Sequence, residues 1–559
     1  MMKNRISACK YKILNKLITS SCRSDHKKFI ASIKNVKEIQ NKILFSYLKR
    51  NKDTQYGRKY NFRNIKTIKE FQDKVPLSTY DSYLDYIKNI ADGQNNILTK
   101  EQIFMFEPSS GSTSASKLIP YTKSLKNEFQ KAISPWLYDM YKKRNLLNFG
   151  KAYWSITPVS HKQELTSGGI PIGFDEDTEY FGSFRKYLMD NTMAVPPEVK
   201  NIVDFEKFCY VTQLFLMKNE NITFLSFWNP TFLTIILKSL FQNLTRLVRD
   251  IKDGTISVEL EPNLKKKIIS YISKDPKRAK VISMISQKNK NDKSCLKLFP
   301  NLQLISCWSD GYSKNYIKNV EEIFPGIEIK GKGLISTEAF VSFPLFGLDH
   351  PILAVNSHFF EFIEVNSGQV KLAHELNQGK KYSVVVTTGG GLYRYKLQDI
   401  IQVTGFHEQA PLFCFIGKDN HVSDIFGEKI NANHITSIFS ELFEKFELSP
   451  NFCMVAPEKN RKKQVSYVIY IECAQKVKDS ILKELVKDFD VQLQENYHYN
   501  YCRKISQLAP CKIFRIQGSG VMDYTQNLHR HGMRVGDIKQ NILVKDLHWS
   551  ENFKGNFVV

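Results

Sequence analysis

The chain has 559 residues, too many for one ordinary hydrophobic core, so two or more domains are expected. Hydrophobic residues make up 42% and aromatics 12%, which excludes global disorder. Lys and Arg number 80 against 56 Asp and Glu, a net charge of +24 that invites a nucleic-acid or membrane reading; the basic residues are nevertheless spread along the chain, mostly as lysine and often as KK pairs at polar helix positions, which argues for a solvated, anion-attracting surface and against nucleic acid.

Residues Met1 to Ser24 contain no acid and carry Lys3, Arg5, Lys10, Lys12, Lys16 and Arg23. A basic first helix is favoured over a transit peptide, and no signal-peptide apolar region is present. Residues 30–100 read as helices joined by polar connections, with Ser78 or Thr79 as a cap in "VPLSTYDSYLDYI". "QIFMF" reads as a short buried strand, so that "EPSSGSTSASKLIPYT", Glu107 to Thr122, becomes a strand-to-helix loop. "YWSITPV", "NLQLISCW" and "IEIKGKGLIS" read as further strands interleaved with helices, an α/β pattern. The most apolar run, Ile222 to Phe241, is nearly membrane length, but Asn229-Pro230 breaks it and no transmembrane segment is expected. "HFFEFIEV", "YSVVVTT", "LYRYKLQDIIQVTGF" and "LFCFIG" form a strand-rich block that suggests a barrel or twisted sheet. After Gly417 the pattern restarts as helix (432–446), strand ("QVSYVIYIEC"), helix (477–494) and strand ("CKIFRIQ"). The expected organisation is therefore a large N-terminal α/β domain over 1–416 with a β-barrel-like subdomain, a link at 417–420, and a small C-terminal α+β domain over 421–559.

The ten cysteines form no CxxC pair and no cluster with zinc spacing, which points to a reduced chain and a cytoplasmic location. Signatures of nucleophilic catalysis are missing: neither a GxSxG elbow nor an SxxK motif stands in a suitable setting. "GIEIKGKG", 326–333, approaches a phosphate loop but ends on Gly333, which has no hydroxyl for magnesium. His529 and His531 have no thiol or acidic partner nearby in sequence and read as a surface loop. Three elements remain. Ser109, Ser110, Gly111, Ser112 and Thr113 offer four hydroxyls and a run of backbone N–H groups suited to phosphate oxygens, or form only a polar loop. Thr337-Glu338 follows an apolar strand, where a carboxylate can hold magnesium or simply start a helix. "VVVTTGGGLYRYKLQDIIQVTGF" joins glycines, an aromatic-Arg-aromatic set and Asp399, whose carboxylate can accept two ribose hydroxyls; Arg394 can instead be a structural ion-pair former.

In this order and at these separations, the three elements resemble the phosphate loop, the Thr/Ser-Glu motif and the Tyr-Arg-Tyr-x-x-Gly-Asp motif of the auxin-responsive promoter (Gretchen Hagen) family of acyl-acid amido synthetases, a branch of the adenylate-forming enzymes. "TQYGRKYNF", "FQDKVPLSTYDSY", "TSGGIPIG", "LSFWNPTFL", "VSDIFGEKINANHI" and "GMRVGDIK" extend the likeness along almost the whole chain, and "TSGGIPIG" with "VSDIFGEK" resembles the bacterial-type members. The chain departs from the pattern at three places. "SAS" precedes Lys117 where a second glycine is common, Gln398 replaces the glycine before the ribose aspartate, and Lys418 and Asn420 stand for Arg and Asp at the hinge. If position 398 requires a left-handed backbone, Gln costs on the order of 1 kcal/mol there.

The resemblance implies the adenylate-forming fold and an ATP- and Mg2+-dependent reaction. A carboxylic acid becomes an acyl-adenylate with release of pyrophosphate, and an amine, typically of an amino acid, then displaces AMP. It implies that Ser109 to Thr113 hold the β- and γ-phosphates, Thr337 touches the α-phosphate, Glu338 binds magnesium and Asp399 fixes the ribose. Lys539 in "GDIKQ" would stabilise the adenylation transition state, and Lys418 to Asn420 would form the hinge. Acyl specificity is expected from the large domain, with "LTSGGIPIG" and "LSFWNPTFL" among its segments. Two alternatives stay open: a catalytically weak or inactive nucleotide-binding regulatory protein of the same fold, and a ligase using another acceptor such as CoA.

Overall fold

The computed structural model describes the chain except residues 1, 110–116, 156–163, 174–182, 289–294, 419–421, 460–463, 474–476, 532, 534, 536, 537 and 559, and the side chains of 2–8, 183–186, 238, 287, 288, 312, 315 and 422. It divides into two compact units, the first made of residues 1–228, 236–310 and 321–415, the second of 229–235, 311–320 and 416–559. Among the described residues no helix is long and apolar enough to cross a membrane.

The first unit opens with α1 (Met2–Ser32). The basic first helix expected from the sequence packs through Ile18, Cys22 and Phe29, and Asn15 donates to the Asn148 and Gly150 carbonyls at 3.1 and 3.0 Å. Strands β1 (Met105–Ser109) and β2 (Lys117–Tyr121) pair antiparallel, with Met105 opposite Tyr121 and Ser109 opposite Lys117. The strand-to-helix loop of the sequence reading is therefore a hairpin connection, because Leu118–Tyr121 gains a ladder partner in β1 before the helix begins. That helix, α2 (Lys123–Lys143), is capped by Thr122, which accepts from Leu125 N–H at 3.0 Å. Its buried Leu125, Phe129, Trp136 and Met140 recur at helical spacing.

A parallel sheet follows in the order β3 (Lys151–Trp154), β4 (Ile222–Ser226), β5 (Leu304–Ser306), β6 (Glu328–Lys330). Parallel strands need long crossovers, and helices at 205–218, 230–288 and 317–323 supply them. The apolar run rejected as a membrane span divides at Asn229-Pro230 into β4 and the helix Pro230–Lys238. A seven-stranded sheet is built from β7 (Phe359–Glu364), β8 (Lys381–Thr387), β9 (Tyr395–His407) and β10 (Ala410–Lys418), adjacent in that order, flanked by short strands at 370–372, 352–353 and 342–343. One apolar cluster, including Phe29, Phe106, Tyr121, Phe129, Phe340 and Tyr395, binds α1, α2, the hairpin and this sheet together.

In the second unit, α3 (Ala432–Lys445) precedes a four-stranded sheet of β11 (Pro450–Lys459), β12 (Val465–Cys473), β13 (Lys512–Ile516) and β14 (Gly555–Phe557). Helices α4 (Asp479–Leu493) and α5 (Gly520–Arg530) complete it. Alternate residues of β12 point to opposite faces. Tyr467, Ile469 and Ile471 join the cluster with α3 and α4, while Val468 and Tyr470 join the one with Tyr524 and Trp549.

Candidate active site

The first motif is positioned by its flanks, since Ser110, Gly111, Ser112 and Thr113 lie outside the described residues. Ser109 ends β1 and faces Lys117 at the start of β2. Tyr80 clamps this edge: its hydroxyl accepts from Leu118 N–H at 2.8 Å and donates to the Leu118 carbonyl at 3.4 Å, and Lys117 Nζ lies 5.7 Å from its ring centre. From the other end of β2, Tyr121 Oη donates to the Thr337 carbonyl at 2.7 Å, across 216 residues of sequence. Glu338, half-buried, accepts from Tyr395 Oη at 3.4 Å. Burial and the Glu338 carboxylate hold the Tyr395 phenol far above its ordinary value, so it stays a proton donor. Burial, with the same carboxylate, raises Tyr80. Segments from all three motifs thus meet through tyrosine hydroxyls: Tyr395 belongs to the aromatic-Arg-aromatic set of the third motif, while Tyr80 sits in "PLSTYDSY", read only for its cap.

The third motif is held by a denser network. The turn before β9 runs through Gly391, whose φ of +97° favours glycine, and Gly389 N–H donates to Glu128 Oε2 at 2.9 Å. His358 Nε2 accepts from Phe340 N–H at 3.0 Å, which leaves Nδ1 to carry the proton and donate to Glu128 Oε2 at 2.9 Å. Tyr83 Oη accepts from Tyr393 N–H at 2.7 Å and donates to the Tyr393 carbonyl at 2.8 Å. Arg394 is the structural ion-pair former: its Nε donates to Glu361 Oε2 at 3.0 Å and its Nη1 to the Gln72 and Val75 carbonyls at 2.7 Å each. Four residues further on, Gln398 takes a φ of 62°. It lies in a bulge, since Val385 pairs with Lys396 while Ser383 pairs with Ile400. Asp399 falls inside that bulge and is 4% exposed. Bulges re-aim side chains beside functional sites, and here one turns the run that carries the predicted ribose-binding carboxylate.

Two predicted residues belong to the second unit. Lys418 is the last residue of β10, and Asp419 and Asn420 lie outside the described residues. Just before it, Gly417 lies against the Asn433 side chain at the start of α3, where a Cβ would come within 2.2 Å of Asn433 Oδ1. Lys539 is exposed, and its backbone carbonyl accepts from Tyr524 Oη at 3.2 Å. His529 and His531 sit at the end of α5 instead of in an open loop, with Nδ1 atoms 3.0 and 2.8 Å from the Met533 and Asn527 carbonyls. Among the described residues no three His, Cys, Asp or Glu side chains gather as a metal site. A magnesium ion still fits Glu338, because this hard cation is commonly held by one or two carboxylates and completed by substrate phosphates.

Sequence profiles of the GH3 family N-terminal, central and C-terminal domains match residues 25–329, 351–418 and 432–548. By structure the chain is similar to the GH3.15 acyl acid amido synthetase in complex with 2,4-DB, with a TM-score of 0.81 and 23% identity over 94% of each chain. By sequence it is similar to two proteins of Arabidopsis thaliana. One is the indole-3-acetic acid-amido synthetase GH3.4, 29% identical over 72% of this chain and 70% of the relative. The other is the probable indole-3-acetic acid-amido synthetase GH3.1, 27% identical over 74% and 72%. The fold is that of an acyl acid amido synthetase. The chain belongs to the GH3 family.

Proposed function

We propose that the protein is an ATP-dependent acyl-acid amido synthetase. A carboxylate oxygen of the acid attacks the α-phosphate of ATP, the bond to the β-phosphate breaks, and pyrophosphate leaves. An amine, that of an amino acid, then attacks the acyl carbon and AMP departs with its oxygen. Carboxylates are poor acyl donors and acyl-adenylates good ones, so the site needs alignment and charge neutralisation more than a nucleophile. The observation that carries this reading is the Tyr395–Glu338 hydrogen bond beside the Tyr121–Thr337 and Tyr80–Leu118 contacts, which draws the three motifs to one edge of the β1–β2 hairpin.

Each residue has a place in this chemistry. Ser109 to Thr113 cradle the β- and γ-phosphates, Thr337 meets the α-phosphate, and Asp399 accepts the ribose hydroxyls. Glu338 would hold magnesium, which supplies charge neutralisation on the phosphates. Lys539, on the second unit, stabilises the adenylation transition state, and Lys418 to Asn420 serve as the hinge between half-reactions, with 1–416 and 421–559 as the domains they join. Among the described residues the ten cysteines form no disulfide, which suits a reducing compartment, and we assign the reaction to the cytoplasm.

The test is acid-dependent pyrophosphate release across aromatic and aliphatic acids, followed by amino-acid-dependent AMP release. Glu338→Ala and Asp399→Ala should each lose about a hundredfold or more in adenylation while keeping a native unfolding transition. Wild-type rates in both would sink the assignment. Gln398 in a left-handed conformation beside Asp399 favours one rival reading, a nucleotide-binding protein without turnover. ATP binding with no pyrophosphate release for any acid would establish that rival.

A further inference from the structure

Behind the three motifs lie a carboxylate and an imidazole that no step of the adenylation reading uses. Glu128 is 3% exposed and His358 is fully buried. Glu128 stands on α2, six residues after the Thr122 cap, and His358 directly precedes β7. Glu128 Oε2 accepts from Gly389 N–H and from His358 Nδ1, each at 2.9 Å. Burial and this carboxylate push the neighbouring Tyr47 phenol well above its ordinary value, so Tyr47 also stays a proton donor. Phe129 and Phe360 pack edge-on against the imidazole at 5.9 Å each.

Each end of the pair grips a different motif. Thr337 and Glu338 form the tip of a turn, whose stem is closed by the Ile335–Phe340 bridge and by Ser336 N–H donating to the Ala339 carbonyl at 3.0 Å. His358 Nε2 accepts from Phe340 N–H at 3.0 Å, and Ser357 Oγ donates to the Phe340 carbonyl at 3.1 Å, so the stem is held on both sides. Gly389, six residues before Tyr395, has its N–H on Glu128 and its carbonyl on Thr122 Oγ1 at 3.0 Å. Thr122 directly follows β2. A Cβ on Gly390 would come within 2.8 Å of the Pro120 carbonyl, so the glycine turn lies directly on the β1–β2 hairpin. Bonds to a carboxylate are the strong ones, and a buried carboxylate is kept where such bonds answer it. The Phe340 N–H occupies the Nε2 lone pair, so the ring is neutral and a single tautomer serves both contacts.

We propose that Glu128 and His358 are positioning residues for adenylation. They set the separation between the turn that carries Thr337 and Glu338 and the run that carries Tyr395 and Asp399, the two segments that a nucleoside triphosphate must span. Neither residue touches the reacting atoms; both act through Phe340 and Gly389. This rests on the amido synthetase reading and adds to it the device that keeps the phosphate and ribose ends of the site in register.

The experiment compares, by calorimetry, affinity for ATP with magnesium against affinity for adenosine, alongside pyrophosphate release. ATP needs both segments and adenosine only the ribose run. His358→Phe keeps an aromatic ring among Phe129 and Phe360 but removes both hydrogen bonds, whereas His358→Gln offers one donor and one acceptor again. In His358→Phe, ATP affinity and kcat/KM should each fall about tenfold or more while adenosine affinity stays within about twofold, the scale of one bond to a charged group. The unfolding transition should stay cooperative, and His358→Gln should recover most of the loss. Parallel losses of ATP and adenosine affinity would make the pair ordinary core and overturn the proposal. Unchanged ATP affinity in folded His358→Phe, or a His358→Gln variant equally impaired, overturns it too. If His358→Phe does not fold, Glu128→Gln decides: removing the charge weakens both bonds, so ATP affinity should fall about threefold with adenosine affinity unchanged, and any other pattern overturns the proposal. No pyrophosphate release with any acid refutes the amido synthetase reading alone, and the two affinities then decide the pair.

Discussion

Two buried cations in the first unit, Arg394 and Lys332, are kept inside by different means. Arg394 meets the Glu361 carboxylate and two backbone carbonyls, while Gln72 Nε2 holds Glu361 Oε1 at 2.9 Å. Lys332 meets a serine hydroxyl and the faces of three indoles. The first charge is answered by the chain's own carboxylate and serves to fasten residues 72–78 to the start of β9. The second has its Nζ on Ser226 Oγ and three indole rings around it. A guanidinium met by protein oxygens in a planar fork ties distant segments together, whereas an ammonium among indoles makes fewer directional contacts.

That contrast can be broken at its strongest point first. Glu361→Ala leaves Arg394 buried without its carboxylate, and should cost about 3–5 kcal/mol, read as a lower urea midpoint at unchanged slope. A loss near zero would mean that the carbonyls alone hold the guanidinium. Tyr395→Phe removes only the hydrogen bond to Glu338, so adenylation should fall by up to about tenfold and stability by about 1 kcal/mol. Gln398→Gly relieves the left-handed strain within the β9 bulge and should raise stability by about 1 kcal/mol or less; the same change shows in kcat whether the bulge also mis-sets Asp399.

The smallest effect comes from a third cation, Lys151 at the start of β3, which lies 5.7 Å from the Tyr11 ring centre. Burial, with Lys10 and Lys218 nearby, lowers its ammonium to about 8. Between that value and the ordinary one near 10.5 the unfolded chain binds more protons, so stability should rise with pH across that window and the benefit is absent below it. Lys151→Met should flatten that slope and stabilise the protein modestly at neutral pH, as followed by thermal unfolding in matched buffers.

Much of the fold was legible because its signals are local. The cap read in "VPLSTYDSYLDYI" falls at Thr79, whose N–H donates to Ser82 Oγ at 3.4 Å, and Asn229-Pro230 separates a strand from a helix. Strand β11 was not recognised: its residues 452–458 are buried on both faces, so the alternation that marks a strand is missing. The β1–β2 hairpin was read as a strand leading into a helix because pairing between Glu107 and Ile119 is a tertiary fact.

The site divides the same way. Residue type and position after a strand pointed to Glu338 and Asp399 as carboxylates able to meet magnesium or a ribose, while Lys539 was reached only through the family resemblance. Lys332 announced nothing; in sequence it belonged only to "GIEIKGKG", a phosphate-loop likeness that fails at Gly333. Its surroundings arise where four parallel strands end side by side and bring Trp154, Trp228 and a helix-borne Trp136 around one ammonium. Local propensity and side-chain chemistry act over a few residues and can be read from the chain. Packing assembles partners from distant segments, so only the tertiary structure could decide which hydroxyls hold Thr337 and Glu338 in place and which rings hold Lys332.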